Sequence, residues 1–216
     1  MLGAPVRSRR DNGGRRNGHP LIFWGILLQR FVFSVIYEGI TAMTPATLRE
    51  LIDRYYQASA RDLHGLDLQG MDLASVHLAD ADLRRTNLTK ANLHQADLTH
   101  IDGYQITLAH ADLRGASLAH AVLREADLRK AHCHRATLVN ADLRNSCLER
   151  TDFSHANLEG ANLTQADLAH ANLYWANLRY TNLTGAKLTK ANLTGAKFCQ
   201  TIMPDGSIRD SECIFV

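Results

Sequence analysis

Residues 81–98 read ADLRRTNLTKANLHQADL, and residues 161–198 read ANLTQADLAHANLYWANLRYTNLTGAKLTKANLTGAKF. Both are runs of one five-residue unit, A-(D/N)-L-x-x. The frame opens at Leu63 and continues without a slip to Met203. Of its 29 central positions 24 are Leu, and the exceptions are Gly103, Cys133, Phe153, Phe198 and Met203. Two residues before the centre, 18 positions are Ala and five are Thr or Ser; the residue between is Asp in 11 units and Asn in eight. A repeat this regular decides the architecture before any other feature.

Five residues fit neither regular element. On an α-helix they rotate the chain about 140°, so successive Leu would scatter round the axis. On a straight strand an odd period sends successive Leu to opposite faces. The chain must therefore bend once per unit and return each Leu to one interior. Within a unit the Leu and the small residue two before it point inward, and the Asp or Asn between them points out. The remaining two residues make the bend, where the outward Asp or Asn can accept hydrogen bonds from turn amides.

These runs resemble the pentapeptide-repeat family, as do the lead-in LIDRYYQASARDLHGLDL at 51–68 and the ending TIMPDGSI at 201–208. The resemblance covers about residues 43–208. It implies an all-β fold, a right-handed quadrilateral β-helix of four units per coil and about seven coils, with a short N-terminal capping α-helix. At about 4.8 Å per coil the rod would be roughly 34 Å long. Residues 20 apart then stack. Cys133 and Phe153 become neighbours in one interior column, a small residue beside a large one. Gly103 leaves a hole that Ile101 and Ile106, standing where Ala is usual, are placed to refill.

The organisation follows. Residues 1–42 are an extension, basic over 3–20 and apolar over 21–41, with Arg30 in mid-span. It is read as a misassigned start preceding Met43, as a signal or membrane anchor, or as a structured extension. Residues 43–60 hold the capping helix, with Thr44 as N-cap, Pro45 at its first position, and an apolar stripe of Leu48, Leu51, Ile52 and Tyr55. Residues 61–205 form the β-helix. Residues 206–216 form a tail, either a cap over Phe198 and Met203 or a dimer contact, so the molecule is a monomer or a C-terminal homodimer. The four cysteines, Cys133, Cys147, Cys199 and Cys213, show no C-x-x-C pair and are expected as free thiols.

No catalytic, cofactor or metal constellation emerges. Aromatic residues are only 6% of the chain, so its apolar 45% is mainly aliphatic and suits a repetitive interior better than a pocket-rich enzyme. His132-Cys133-His134 suggests metal chemistry, but alternation places Cys133 inside and both His outside. In the stack His132 falls between Asp112 and Asp152, as a structural ladder. One surface column stands out. Lys90, His110, Lys130, Arg150, His170 and Lys190 share one turn position, 20 residues apart, and form a basic ladder. Around it lie His94, Arg114, His134, Arg135, His155, Tyr174 and Trp175.

Like charges at such spacing repel unless local acids compensate them or a partner supplies anions. Asp72, Asp112 and Asp152, two residues along, are the nearest candidates. The reading is a non-catalytic scaffold, cytoplasmic, binding another protein, with an acidic one fitting the ladder. Some members of the family resemble duplex DNA in charge and shape and protect DNA gyrase. That alternative asks for an acidic rod, whereas residues 61–203 carry 15 Lys or Arg and 15 Asp or Glu. A net charge of +2 likewise argues against nucleic acid as partner. A membrane-tethered or exported protein is the other alternative, and it rests on residues 21–41.

Overall fold

The computed structural model describes residues 62–211 and residue 213. The expectations for the extension and the capping helix lie outside these residues. Within them the chain bends at each unit. The amide three residues after a central Leu donates to that Leu's carbonyl, as Ala111 does to Leu108 at 3.0 Å. The second bend residue has positive φ, for example 59° at Lys90 and 68° at Gly115. Positive φ at that position alone matches a type II turn. Glycine takes it without strain, yet Lys, His, Arg, Gln and Asn fill most of these corners. They are held there because the corner amide also donates to the next coil, as Lys90 N does to Ala109 O at 2.9 Å.

Each side of a coil contributes one bridging residue to a parallel ladder. Asp62 pairs with Asp82, Asp82 with Asp102, and the series reaches Asn182 and Ile202. The offset is 20 residues throughout, so four units close one turn of the coil. Two hydrogen bonds flank each bridge: Leu108 N to Asp127 O at 2.7 Å, and Asp127 N to Ile106 O at 3.0 Å. The outward Asp or Asn caps the bend after it. Asn92 Oδ1 accepts the His94 amide at 3.1 Å, and Asn92 Nδ2 reaches the coil before, 2.9 Å from Asp72 Oδ1.

The interior is the expected one. Leu73, Leu113 and Leu123 are fully buried, as are Ala111, Ala116 and Ala121. Cys133 and Phe153 are both fully buried in one column. Burial pushes the Cys133 thiol well above its usual range. The hole at Gly103 is closed by Ile106 and by Leu123 from the next coil; a β-carbon there would sit 3.3 Å from Ile106 Cγ2 and 3.1 Å from Leu123 Cδ2. Where Thr replaces the small Ala, its hydroxyl donates back to the previous coil. Thr181 Oγ1 lies 2.8 Å from Leu158 O, and Thr151 Oγ1 2.7 Å from Leu128 O.

The C-terminal end departs from the expectation in its cysteines. Strand β1 (Thr201–Ile202) pairs antiparallel with β2 (Ile208–Arg209) around a turn in which Gly206 has φ 83°. The hairpin brings Arg209 over the Phe198 ring, 3.9 Å from its centroid. It also brings Cys213 to Cys199, and the two form a disulfide. The expectation of four free thiols is therefore corrected: Cys133 and Cys147 are free, and the other pair is bonded. The reason is the chain reversal at Pro204-Asp205-Gly206-Ser207, which turns β2 back onto β1 and brings Cys213 to Cys199. Elsewhere on that coil the amides of Leu188, Lys190, Leu193 and Gly195 donate to nothing among the described residues. Leu188 and Leu193 are half-buried there.

Candidate functional site

The ladder residues Lys90, His110, Lys130, Arg150, His170 and Lys190 all stand at the second bend position of one corner. Their φ values run from 57° to 60°, and all six side chains are exposed. The amide of each of the first five donates to the coil after it, as His110 N does to Arg129 O at 3.0 Å. The backbone thus fixes the spacing of the side chains along the rod, about 4.8 Å per step.

At the neighbouring bend position, arginines are compensated within their own unit where an Asp precedes them. An Arg at the first bend position that follows an Asp by two residues folds back onto it. Arg114 Nε and Nη2 reach Asp112 Oδ1 and Oδ2 at 2.8 and 2.6 Å. Arg129 grips Asp127 and Arg144 grips Asp142 in the same bidentate way, and Arg84 pairs with Asp82. The Arg114 hydrogen bond and the Arg114 amide hold the Asp112 carboxyl below its usual range. At Asp127 and Asp142 burial pushes the carboxyl up, and the Arg hydrogen bonds outweigh it.

Three residues before Lys90, Lys130 and Lys190 stand Asn87, Asp127 and Lys187, so only Lys130 follows an Asp at that distance, and Arg129 holds that Asp. Asp112 is taken by Arg114, Asp152 accepts from the Ser154 amide and Asn172, and Asp72 accepts from the Ala74 amide and Asn92. Among the described residues, the Lys90, Lys130 and Lys190 ammonium groups meet no carboxylate within ion-pair distance. Arg150 has Glu149, with Nε 3.5 Å from Oε1. The three acids proposed from sequence to compensate the ladder are thus engaged elsewhere.

Of the residues expected around the ladder, four form a continuous chain on the adjacent corner, with His134 half-buried and His155, Tyr174 and Trp175 exposed. His134 packs edge-to-face with His155 at 5.4 Å, His155 with Tyr174 at 5.7 Å, and Tyr174 with Trp175 at 6.3 Å. The Trp175 ring lies against the backbone of Gly195, where a β-carbon would come within 2.8 Å of it. His134 Nδ1 also lies 2.9 Å from Ser154 Oγ. Alternation holds at 132–134: Cys133 is buried and His132 exposed. His132 bridges Asp112 and Asp152 through the backbone, while both carboxylates turn to other partners.

A second cluster was not anticipated. Tyr104, Arg124, Glu125, Arg144 and Asn145 line a shallow open depression. Tyr104 Oη donates to Glu125 Oε2 at 3.1 Å, which raises the phenol's pKa, and the Arg124 guanidinium lies 5.8 Å from the Tyr104 ring centroid. Arg124 Nε is 3.7 Å from Asp142 Oδ2. Arg124 and Arg144 share Asp142, and Glu125 accepts from Tyr104 and from Gln105 Nε2 at 2.9 Å. The signal available in sequence was the 20-residue column Arg84, Tyr104, Arg124, Arg144.

The family model described as pentapeptide repeats matches in eight copies, over residues 62–102, 108–145, 146–185 and 166–203. Comparison with curated proteins returns no match. Among solved structures, the chain is similar to HetL, a pentapeptide repeat protein involved in heterocyst differentiation regulation from the cyanobacterium Nostoc sp. strain PCC 7120. Identity is 28% over 73% of this chain and 98% of HetL, with a TM-score of 0.37. It is similar to the pentapeptide repeat protein Rfr23 from the cyanobacterium Cyanothece 51142, at 26% identity over 71% of this chain and 99% of that one, with a TM-score of 0.31. QnrB1, a plasmid-mediated fluoroquinolone resistance protein, matches at 17% identity over 65% of this chain and 86% of its own, with a TM-score of 0.32. Together the matched repeats span more than half of the chain.

Proposed function

The chain belongs to the pentapeptide-repeat family, whose members form right-handed quadrilateral β-helices, and on that premise we propose that it is a non-catalytic cytoplasmic scaffold that docks an acidic protein segment along its basic ladder. The observation that carries the reading is the contrast between the two bend positions. Arginines two residues after an Asp are neutralised within their own unit, whereas Lys90, Lys130 and Lys190 project from their corner with no carboxylate beside them among the described residues. Three uncompensated ammonium groups in register, with Arg150, His110 and His170 between them, favour an extended partner bearing repeated carboxylates. The aromatic chain ending at Trp175 flanks the same face and offers apolar contact to such a partner.

The DNA-like alternative has less support. A mimic of duplex DNA presents continuous uncompensated negative charge, and here Asp82, Asp112, Asp127 and Asp142 are each paired with arginine. The test is binding of a poly-glutamate peptide to the full chain and to a variant with Lys90, Lys130, Arg150 and Lys190 all replaced by Gln. The wild type should bind, and the interaction should weaken steeply as salt rises through 0.15 M, where the screening length is about 8 Å. The quadruple variant should lose it, while a control with Lys187, Lys197 and Arg179 replaced should keep it. Equal binding by the ladder variant and the wild type would reject the proposal.

A further inference from the structure

Cys199 stands two residues before β1 and Cys213 four residues after β2, so the hairpin closes a loop whose ends meet at one corner of the last coil. A third ligating group sits with them. Asp210 lies just beyond β2, and its Oδ1 is 3.2 Å from the Cys213 sulfur. The two sulfurs and the carboxylate lie within 4.8 Å of one another. Asp210 is positioned independently of the sulfurs: Oδ1 accepts the Gln200 amide at 2.6 Å and Oδ2 accepts Gln200 Nε2 at 2.8 Å. The hairpin ladder and the stacking of Arg209 on Phe198 likewise hold β2 in place without the disulfide.

We propose that, once its disulfide is reduced, this corner binds a single zinc-class divalent cation through Cys199 Sγ, Cys213 Sγ and the Asp210 carboxylate. Reduction by a dithiol breaks the S–S bond, leaves two thiols, and converts the reductant to its own disulfide. The cation then displaces the two thiol protons to solvent and forms two metal–thiolate bonds and one metal–carboxylate bond, with water in the fourth position. Two thiolates and one carboxylate favour zinc-class ions over magnesium or calcium, which prefer all-oxygen sites. A tetrahedral zinc–thiolate pair needs its sulfurs about 3.8 Å apart. The Cα atoms are 4.8 Å apart, so side-chain rotation supplies that separation and leaves the hairpin where it is. The other thiols do not compete at this corner: Cys133 is buried in the core, and Cys147 lies on the rod side between Asp127 and Asp167. The C-terminal cap would thereby stay closed in both redox states, by a covalent bond when oxidised and by a metal when reduced.

The experiment uses the full chain carrying Cys147→Ser, reduced with a dithiol that is then removed under argon, and titrated with Co²⁺. Thiolate-to-cobalt charge-transfer absorption should grow to saturation at one ion per chain and vanish on adding Zn²⁺. The thermal midpoint lost on reduction should return with Zn²⁺. The oxidised protein should show no such absorption. Cys199→Ser and Cys213→Ser should each abolish it, and Asp210→Asn should weaken affinity by roughly tenfold or more. Oxidised Asp210→Asn, whose cap the disulfide still closes, should melt within a few degrees of the oxidised parent, showing that the loss is one of ligation. Absence of the absorption in the reduced protein, its survival in Cys199→Ser, or saturation at half an ion per chain would each overturn the proposal.

Discussion

Gly103 and Leu123 offer a perturbation whose sign depends on its partner. Leu123 is fully buried, and its Cδ2 fills the space that a side chain at Gly103 would occupy. Leu123→Ala should cost about 4–5 kcal/mol, the upper part of the range for buried Leu truncation, because the facing Gly103 has no side chain to move into the cavity. Gly103→Ala alone meets Leu123 Cδ2 at 3.1 Å, Ile106 Cγ2 at 3.3 Å and Val122 O at 3.3 Å, in a backbone without positive φ. Overpacking of about 1–3 kcal/mol outweighs the roughly 0.4–1 kcal/mol gained by restricting the unfolded chain, so the single change destabilises. In the Leu123→Ala background the tightest contact is gone. The new methyl then enters the cavity, and Gly103→Ala should stabilise by about 1 kcal/mol. The coupling energy should thus be roughly 1.5–3 kcal/mol, the size seen for residues in direct contact. Urea unfolding of the four proteins of the cycle, followed by circular dichroism, measures it. Additivity within about 0.5 kcal/mol would show that Leu123 does not occupy the space at Gly103, and would refute the packing assigned to this column.

Three further outcomes are expected. Thr181→Val keeps the shape of a buried residue and removes the hydrogen bond to Leu158 O; it should cost about 1 kcal/mol, whereas Thr164→Ala on the surface should stay within about 0.5 kcal/mol by the same urea assay. Gly195→Ala places a β-carbon at φ 71° against the Trp175 ring, so it should cost about 1–2 kcal/mol and change the indole emission; an unchanged spectrum would mean the ring does not rest on that backbone. Asp82 and Asp112 have folded pKa values lowered by their Arg hydrogen bonds. Their contribution is fully present above the unfolded value of about 3.9 and is lost as pH falls through the folded one. Arg84→Gln with Arg114→Gln should therefore raise the midpoint of acid unfolding, read by circular dichroism below pH 4, and an unmoved midpoint would count against the pairing.

The site was only half legible. That Lys90, His110, Lys130, Arg150, His170 and Lys190 share a column follows from arithmetic in twenties. Which cations are free does not follow from it. An Arg two residues after Asp reaches back across one bend, so Asp127 is held by Arg129 and not by Lys130 one residue on, a choice that depends on side-chain direction at the corner; Lys90 and Lys190 have Asn87 and Lys187 at that place. The aromatic chain from His134 to Trp175 is of the same kind, since edge-to-face contacts between coils depend on rotamers.

The five-residue frame by itself determined which residues are inside. Its alternation is a local property of the backbone, and each unit repeats the same local problem, so Leu113, Ala111, Cys133 and Phe153 could be placed without knowing any distant contact. It also located the hole at Gly103, although only the folded chain showed that Leu123, from the next coil, shares in filling it. Past Met203 the frame ends and with it that certainty. The Cys199–Cys213 bond and the seat of Asp210 beside it arise from a chain reversal that brings together residues in different local settings. The spacing of 14 between Cys199 and Cys213 equals that between Cys133 and Cys147, yet only the first pair is bonded. In the rod, fourteen residues lead from an inward position to an outward one on another side; around the hairpin they lead back to the start.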